Sequence, residues 1–212
     1  MTGKIKLVHS GGNAVSLAVP TSNPSSSEVE LKLPQSDGSA DTFLKTDGSG
    51  NLSFAAVGGI TMADQWRITS EFSVTSFDYI TSNWERNDDD GFGKIGTGLS
   101  ESSGEFSFAS TGVYLVRIVV NWYASGGGVN YNRVGIYTTT DNSNYNQVAL
   151  SWSGVESGSQ YNNMSAEILF DVTDVSTHKV KFQMGASNTR PRVRGESSYN
   201  TTYATFIRLG DT

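Results

Sequence analysis

The 212-residue chain contains no cysteine. Disulfides, thiolate metal sites and cysteine nucleophiles are excluded, so stability has to come from packing and assembly. Proline is scarce at 4, and histidine occurs only at His9 and His178. His178 follows Asp174-Val175-Ser176-Thr177 and reads as a turn residue ahead of a strand rather than a catalytic base. Positive charge is in the minority, with 15 Lys and Arg against 21 Asp and Glu and a net charge of −6. Nonspecific nucleic-acid binding needs the opposite sign and is not expected. No stretch approaches the length of a membrane span, and the run from Met1 to His9 lacks the apolar core of a signal peptide. Neither membrane insertion nor secretion is expected. The glycosylation-type triplets at Asn51, Asn163 and Asn200 then read as chance in a chain rich in Asn, Ser and Thr. No window shows sustained helical periodicity with caps.

What is present is glycine, 23 residues of it, and short segments with period-two alternation. That combination marks an all-β protein with many turns. Lys4 to Val8 and Ala14 to Val19 alternate on either side of Gly11-Gly12-Asn13. Glu28 to Leu33 alternates Val29, Leu31 and Leu33 with charged residues, so the spacing predicts a strand there. Asp47-Gly48-Ser49-Gly50-Asn51, flanked by Phe43 to Thr46 and Leu52 to Phe54, predicts a hairpin. Each segment offers only a thin apolar stripe, too little to close a core in one copy. A Ser-rich linker from Pro20 to Ser27 and a glycine hinge from Ala55 to Ala63 divide the chain. Residues 1–60 are expected to form a stalk or attachment module and residues 61–212 a head.

Beyond the hinge, large aromatics become dense: Trp66, Phe72, Phe77, Tyr79, Trp84. Strands are predicted over Trp66 to Val74, Phe77 to Trp84, Lys94 to Leu99, Glu105 to Phe108 and Val113 to Tyr123. They continue over Arg133 to Thr138, Gln147 to Trp152, Met164 to Val172, His178 to Met184, Arg190 to Gly195 and Thr202 to Leu209. About ten short strands at this spacing predict a sandwich or barrel. The strand from Val113 to Tyr123 has one apolar face, Tyr114, Val116, Ile118, Val120 and Trp122. Its other face is too apolar for water and too polar for a core, which suits burial against another subunit.

The run Gly104-x-Phe106-x-Phe108 followed by Gly112-x-Tyr114-x-Val116 resembles a signature strand pair of the complement-q and tumour-necrosis-factor superfamily of globular heads. Thr205-Phe206-Ile207-Arg208-Leu209 resembles their closing strand, although family members often carry a glycine where this chain has Ile207 or Arg208. The resemblance implies a ten-stranded jelly roll that assembles as a compact homotrimer. Val113, Leu115 and Val119 are then expected near a threefold axis, with Arg117 paired or hydrated there. Separately, the run Leu-x-Thr-Asp-Gly-x-Gly-Asn-Leu-x-Phe from Leu44 to Phe54 resembles segments of bacteriophage fibre and appendage proteins.

Candidate chemistry is thin. No nucleophile elbow and no phosphate loop is present, and Gly91-Phe92-Gly93-Lys94 lacks the spacing of the latter. Asp88-Asp89-Asp90 offers oxygens to calcium but without the spacing of a known loop, so a solvated loop is preferred. No pair of carboxylates is singled out for glycoside cleavage. No cofactor, metal or catalytic residue is therefore expected. Tyr131 and Tyr161 are candidates for carbohydrate or protein contact, whereas Trp152 is expected in the core. Arg190, Arg192 and Arg194 share one face of an extended segment, which Pro191 should place at an edge or in a loop rather than in a central strand. Their expected partner is the acidic run from Asp88 to Asp90, with an external anion as the alternative. The implied function is a bacteriophage virion structural protein, displayed on the virion surface after assembly in the host cytoplasm. Its N-terminal module would bind other virion proteins. A receptor-binding tip recognising host surface glycan or protein is the alternative, and a glycan-degrading enzyme a third reading.

Overall fold

The computed structural model describes residues 4–18, 20–22, 24, 25, 28–56, 58–124, 126–156 and 160–212. The expected strand end at Val19, the linker residues Asn23, Ser26 and Ser27, and Val57 of the hinge lie outside them. The chain clusters into two units, Met1–Gly59 and Ile60–Thr212. Among the described residues there is no helix.

The first unit holds two separate hairpins. Strands β1 (Lys4–Val8) and β2 (Ala14–Ala18) pair antiparallel around Gly12. Strands β3 (Thr42–Thr46) and β4 (Leu52–Ala56) pair around the Asp-Gly tip. There Gly48 and Gly50 take positive φ, and Asp47 Oδ1 accepts the amides of Ser49 and Asn51, closing an Asx turn. The strand predicted from Glu28 to Leu33 does not form. Only Lys32 bridges, in parallel, to Asn51. The hairpin arm that could pair with it begins at that point, so no longer ladder forms along the segment among the described residues. No described side chain of this unit is buried: Leu17 and Leu33 are 71% and 77% exposed.

The second unit comprises β5 (Ala63–Ile68), β6 (Phe72–Ser73), β7 (Asp78–Tyr79), β8 (Trp84–Arg86), β9 (Ser100–Ser102) and β10 (Glu105–Ser107). Longer strands follow: β11 (Gly112–Ala124), β12 (Val129–Thr139), β13 (Asn146–Val155), β14 (Tyr161–Val172) and β15 (Lys179–Ala186), then β16 (Pro191–Val193) and β17 (Tyr203–Gly210). One sheet runs β14-β11-β17-β5-β8, with β16 and β6 continuing beside the end of β11. The other runs β13-β12-β15-β10-β9, with β7 on the same edge of β15 as β10. The sheets pack face to face as a sandwich.

Alternation fills the space between them. Tyr114, Val116, Ile118, Val120 and Trp122 of β11 are buried against Val134, Ile136, Val180, Phe182 and Met184 of the other sheet. Phe106 is the hub, with ring centroids of Trp66, Trp84, Phe182 and Phe206 at 5.7, 5.1, 5.5 and 5.1 Å. Trp122 Nε1 donates to Ser153 Oγ at 2.8 Å, which satisfies the indole of a fully buried ring.

Four strand predictions in this unit are corrected. Trp66 to Val74 splits into β5 and β6, and Phe77 to Trp84 shrinks to β7 and the first residue of β8, with Asn83 at φ 64° between them. Lys94 to Leu99 is a loop whose backbone bridges to β5 only at Ile95, because Gly96 and Gly98 take φ of 68° and 75°. A Cβ at Gly98 would lie 2.5 Å from Asp64 Oδ2. Strand β9 was not foreseen. Its turn, Ser103-Gly104, has positive φ at both residues, the requirement of the tightest hairpins. Finally, β16 is not an edge: it pairs with both β11 and β6. Pro191 is tolerated because it is the first residue of the strand.

Candidate functional site

The outward face of the β14-β11-β17 sheet is graded along its length. Val113, Leu115, Arg117, Val119, Asn121 and Tyr123 all point away from the core. Cross-strand register adds a partner on either side of each. Leu115 stands opposite Leu169 and Ile207, Arg117 opposite Glu167 and Thr205, and Val119 opposite Ser165 and Tyr203. The lower end is therefore a patch of large aliphatic groups, with Leu169 66% exposed. In the middle, Arg117 and Glu167 approach to 3.9 Å and Asn121 donates to Asn163 at 2.7 Å. At the upper end the rings of Tyr123 and Tyr161 lie 5.5 Å apart.

Glu71 closes that upper end. It accepts from the Tyr123 hydroxyl at 3.0 Å and from Arg194 Nη1 at 3.0 Å, with Arg192 Nε at 4.0 Å. Burial, then the Glu71 carboxylate, pushes the Tyr123 phenol up, so it stays a donor. The expected charge network is thus rearranged. Within the chain, Arg192 and Arg194 meet Glu71, not the run from Asp88 to Asp90. Arg190 precedes the strand and turns away to the carbonyl of Gly128, so the three guanidiniums do not share a face.

The acidic run serves another cation. Arg67 of β5 is 1% exposed, and its guanidinium is bound by Glu85 at 2.9 Å, Asp88 at 2.8 Å and Asp89. Burial works to lower its pKa, but the hydrogen bonds of Asp89 and Glu85 outweigh it and raise it, so the cation is kept. Beside it, the buried carboxylate of Asp64 accepts from Arg86, from the Trp66 indole and from the Leu99 amide. With two of its three carboxylates committed to Arg67, the run is a tether for the loop that covers β5.

On the other sheet, Trp152 overturns expectation: it is 51% exposed. Its neighbour Ser153 takes the inward position, where it receives the Trp122 indole, and alternation turns Trp152 outward. It stands opposite Arg133 and edge-on to Tyr131 at 5.0 Å. Tyr131 and Tyr161, paired as candidates from sequence, lie on different sheets. His178 is buried, stacked on Phe170 and held between the hydroxyls of Thr173 and Thr177. The face residues missed from sequence are Leu169, Ile207, Tyr203 and Glu71. Leu169 had a signal, as the one large aliphatic side chain among the outward Ser165, Glu167 and Asp171.

No protein-family model and no curated protein matches the chain in sequence. Solved structures do match in shape. The Eiger TNF of S. frugiperda aligns with a TM-score of 0.51 at 13% identity, over 73% of this chain and 96% of that one. Murine APRIL at pH 5.0 aligns with a TM-score of 0.51 at 13% identity, over 70% and 98%. The fold is a tumour-necrosis-factor-like jelly roll. The PRD1 vertex protein P5 also aligns, with a TM-score of 0.44, 14% identity and coverage of 72% and 100%, a likeness too low to carry an argument. At such identities the TNF-like likeness speaks for the fold alone.

Proposed function

We propose that the protein is a non-catalytic structural component of a bacteriophage virion, a homotrimeric fibre or a capsid or tail appendage displayed on the particle surface. One observation carries the reading: the first unit has strands but no buried side chain among its described residues. Ile5, Leu7, Leu17, Val29, Leu31, Leu33, Phe43, Leu44 and Phe54 are all exposed in the single chain. A sequence that places apolar groups at regular alternate positions and buries none of them needs copies of itself or a partner to cover them. The aliphatic lower end of the β14-β11-β17 face asks for the same in the head. Trimeric assembly is also what the complement-q and tumour-necrosis-factor resemblance implies, and the Leu44 to Phe54 run supports the phage context. The first unit would attach to other virion proteins and the head would face outward, with Val113, Leu115, Arg117 and Val119 around the threefold axis. A receptor-binding tip is the second reading, favoured by the exposed aromatic rings around Arg133.

Light scattering at micromolar concentration tests assembly directly: three chains per particle are expected, and a monomeric mass ends the proposal. Leu115→Asp should dissociate the trimer or unfold it, because it buries an unpaired charge at each copy of the face. Mass spectrometry of purified phage particles tests the context. Absence of the chain from particles whose genome encodes it would refute a virion role.

A further inference from the structure

We infer that the outward face of the β13-β12-β15 sheet is a binding site for saccharides that carry a carboxylate. The inference deepens the receptor-binding reading and is independent of the assembly reading, which concerns the opposite sheet. Its centre is Arg133. Register sets Arg133 between Trp152 on β13 and Gly185 on β15. Gly185 has no side chain, and the Phe77 ring lies over it, where a Cβ would come within 2.1 Å of the ring. The Arg133 guanidinium therefore lies between two aromatics, 4.1 Å from the Phe77 centroid and 5.5 Å from that of Trp152. Tyr131 supports both rings, at 6.4 and 5.0 Å. The rings themselves remain open, with Phe77 44% exposed.

The polar groups inside this frame are donors waiting for an acceptor. Arg133 donates from Nη2 to Gln183 Oε1 at 2.8 Å, and its other N–H groups meet no acceptor among the described residues. No carboxylate pairs with it there. The Tyr137 hydroxyl also stands 2.9 Å from Gln183 Oε1, which occupies the amide oxygen and leaves the amide N–H2 free to donate. Four and two residues before Gln183 on β15, Lys179 and Lys181 share the carboxylate of Glu105 at 2.6 and 3.2 Å. Among the described residues Glu105 thus answers two of these three cations and leaves Arg133 without a carboxylate, on a chain whose net charge is −6.

That chemistry selects the ligand. Exposed, rigid rings accept the flat C–H face of a pyranose at low conformational cost. The free amide and guanidinium donors suit hydroxyls, and a guanidinium already oriented by stacking can grip a carboxylate in a bidentate way. A peptide strand would need an open sheet edge, whereas β12 is paired on both sides here.

The test uses the full chain on a printed panel of neutral, uronate-containing, sialylated and sulfated oligosaccharides, with a deca-glutamate peptide as competitor. Retention on carboxylate-bearing sugars over their neutral counterparts is expected. Arg133→Gln and Trp152→Ala should each weaken it by about tenfold or more, while Lys94→Ala, which removes one exposed positive charge elsewhere, leaves it unchanged. Thermal melting and light scattering of each variant confirm that fold and mass are intact. If Trp152→Ala is unstable, Trp152→Phe with Arg133→Lys replaces the pair, and the lysine should keep part of the binding. Retention of no sugar, equal retention of neutral and acidic sugars, or indifference to both substitutions overturns the proposal. So does preference for sulfated sugars, or displacement by deca-glutamate at the sugar's own concentration, which would indicate a simple anion site or a protein partner.

Discussion

Leu31 and Val116 occupy the same place in the same kind of pattern, an alternate apolar position in an extended segment, and meet opposite fates. Leu31 is largely exposed and Val116 is fully buried. The difference does not lie in the alternation but in what stands across from it. Val116 has β14 and β17 beside it and a second sheet, carrying Phe106 and Phe182, above it. The segment of Leu31 makes one isolated bridge, and its side chains from Glu28 to Leu33 are all exposed. Period two states which face seeks burial; only a second layer supplies the burial, and one of the two units has none of its own. The largest consequence is for the units taken separately. Residues 60–212 should remain folded and soluble when produced alone, while residues 1–59 should be unfolded at micromolar concentration by circular dichroism. A cooperative melt of the short piece as a monomer would remove the contrast.

Within the full chain, the same contrast predicts unequal costs for equal cuts. Phe106→Ala deletes the ring at the centre of four others, and a cost of about 3–5 kcal/mol is expected at any protein concentration. Leu33→Ala removes a side chain that is 77% exposed in the single chain, so the monomer should lose under about 0.5 kcal/mol. In an assembled protein the leucine loss should rise to about 2 kcal/mol or more and grow with concentration. Denaturation at two concentrations tenfold apart measures both. A concentration-independent loss at Leu33 would mean that the stripe is not covered by other copies.

Much of the head was legible because its long strands are strongly patterned. Val113 to Tyr123 and Met164 to Val172 show their buried faces in the residues themselves, and the structure extends each by only a few positions. The short strands were harder. Asp78–Tyr79 and Trp84–Arg86 are too brief for any period to declare itself, and they exist because β15 and β5 offer them an edge. Sites were less legible still. Tyr131 stands out in the sequence as a candidate, but Arg133 and Phe77 do not, since nothing local says that Gly185 will make room for a ring 108 residues away. Trp152 was misplaced for a similar reason: its direction is set by its neighbour Ser153, whose hydroxyl the Trp122 indole requires. Arg67 hid in plain view, because a guanidinium between Trp66 and Ile68 gives no sign of which three carboxylates will fold over it.

Acid sharpens the comparison at a smaller scale. Burial pushes the Glu105 carboxyl up, but hydrogen bonds from Lys179, Tyr145 and Lys181 outweigh it and bring it down to about 2. The same pairing, after burial, holds the Tyr145 phenol well above its usual range. Because the folded pKa lies below the ordinary value of 4.5, the stabilisation is complete above that value and drains away as pH falls towards 2. Glu105→Gln should therefore cost about 1–3 kcal/mol at pH 7. Its melting temperature should converge on that of the parent between pH 4.5 and 2. The Asp47 carboxyl in the first unit is also lowered, chiefly by Asn51, yet it is exposed and anchors only a turn. Asp47→Asn should leave the melting of the head unmoved across the same range. A gap at Glu105 that ignores pH would show that the residue acts through packing rather than charge.

The smallest effect expected is at Arg192. Its Nε is 4.0 Å from Glu71 and its Nη1 donates to Ser73 Oγ at 2.8 Å, with the side chain 43% exposed. Exposed pairs of that geometry contribute little, so Arg192→Ala should change stability by less than about 0.5 kcal/mol in the isolated head at low concentration. Arg194, 3.0 Å from Glu71 and 6.0 Å from the Tyr123 ring centroid, should cost about 0.5–1 kcal/mol. Both losses should shrink in 0.5 M salt, which screens exposed charges. Arg192 nevertheless sits opposite Tyr123 on the face proposed to meet other copies. If its removal costs more than about 1 kcal/mol and the cost increases with protein concentration, its true partner is an acid on another subunit. If the cost stays small at every concentration, Arg192 marks the rim of that face, where contact between copies ends.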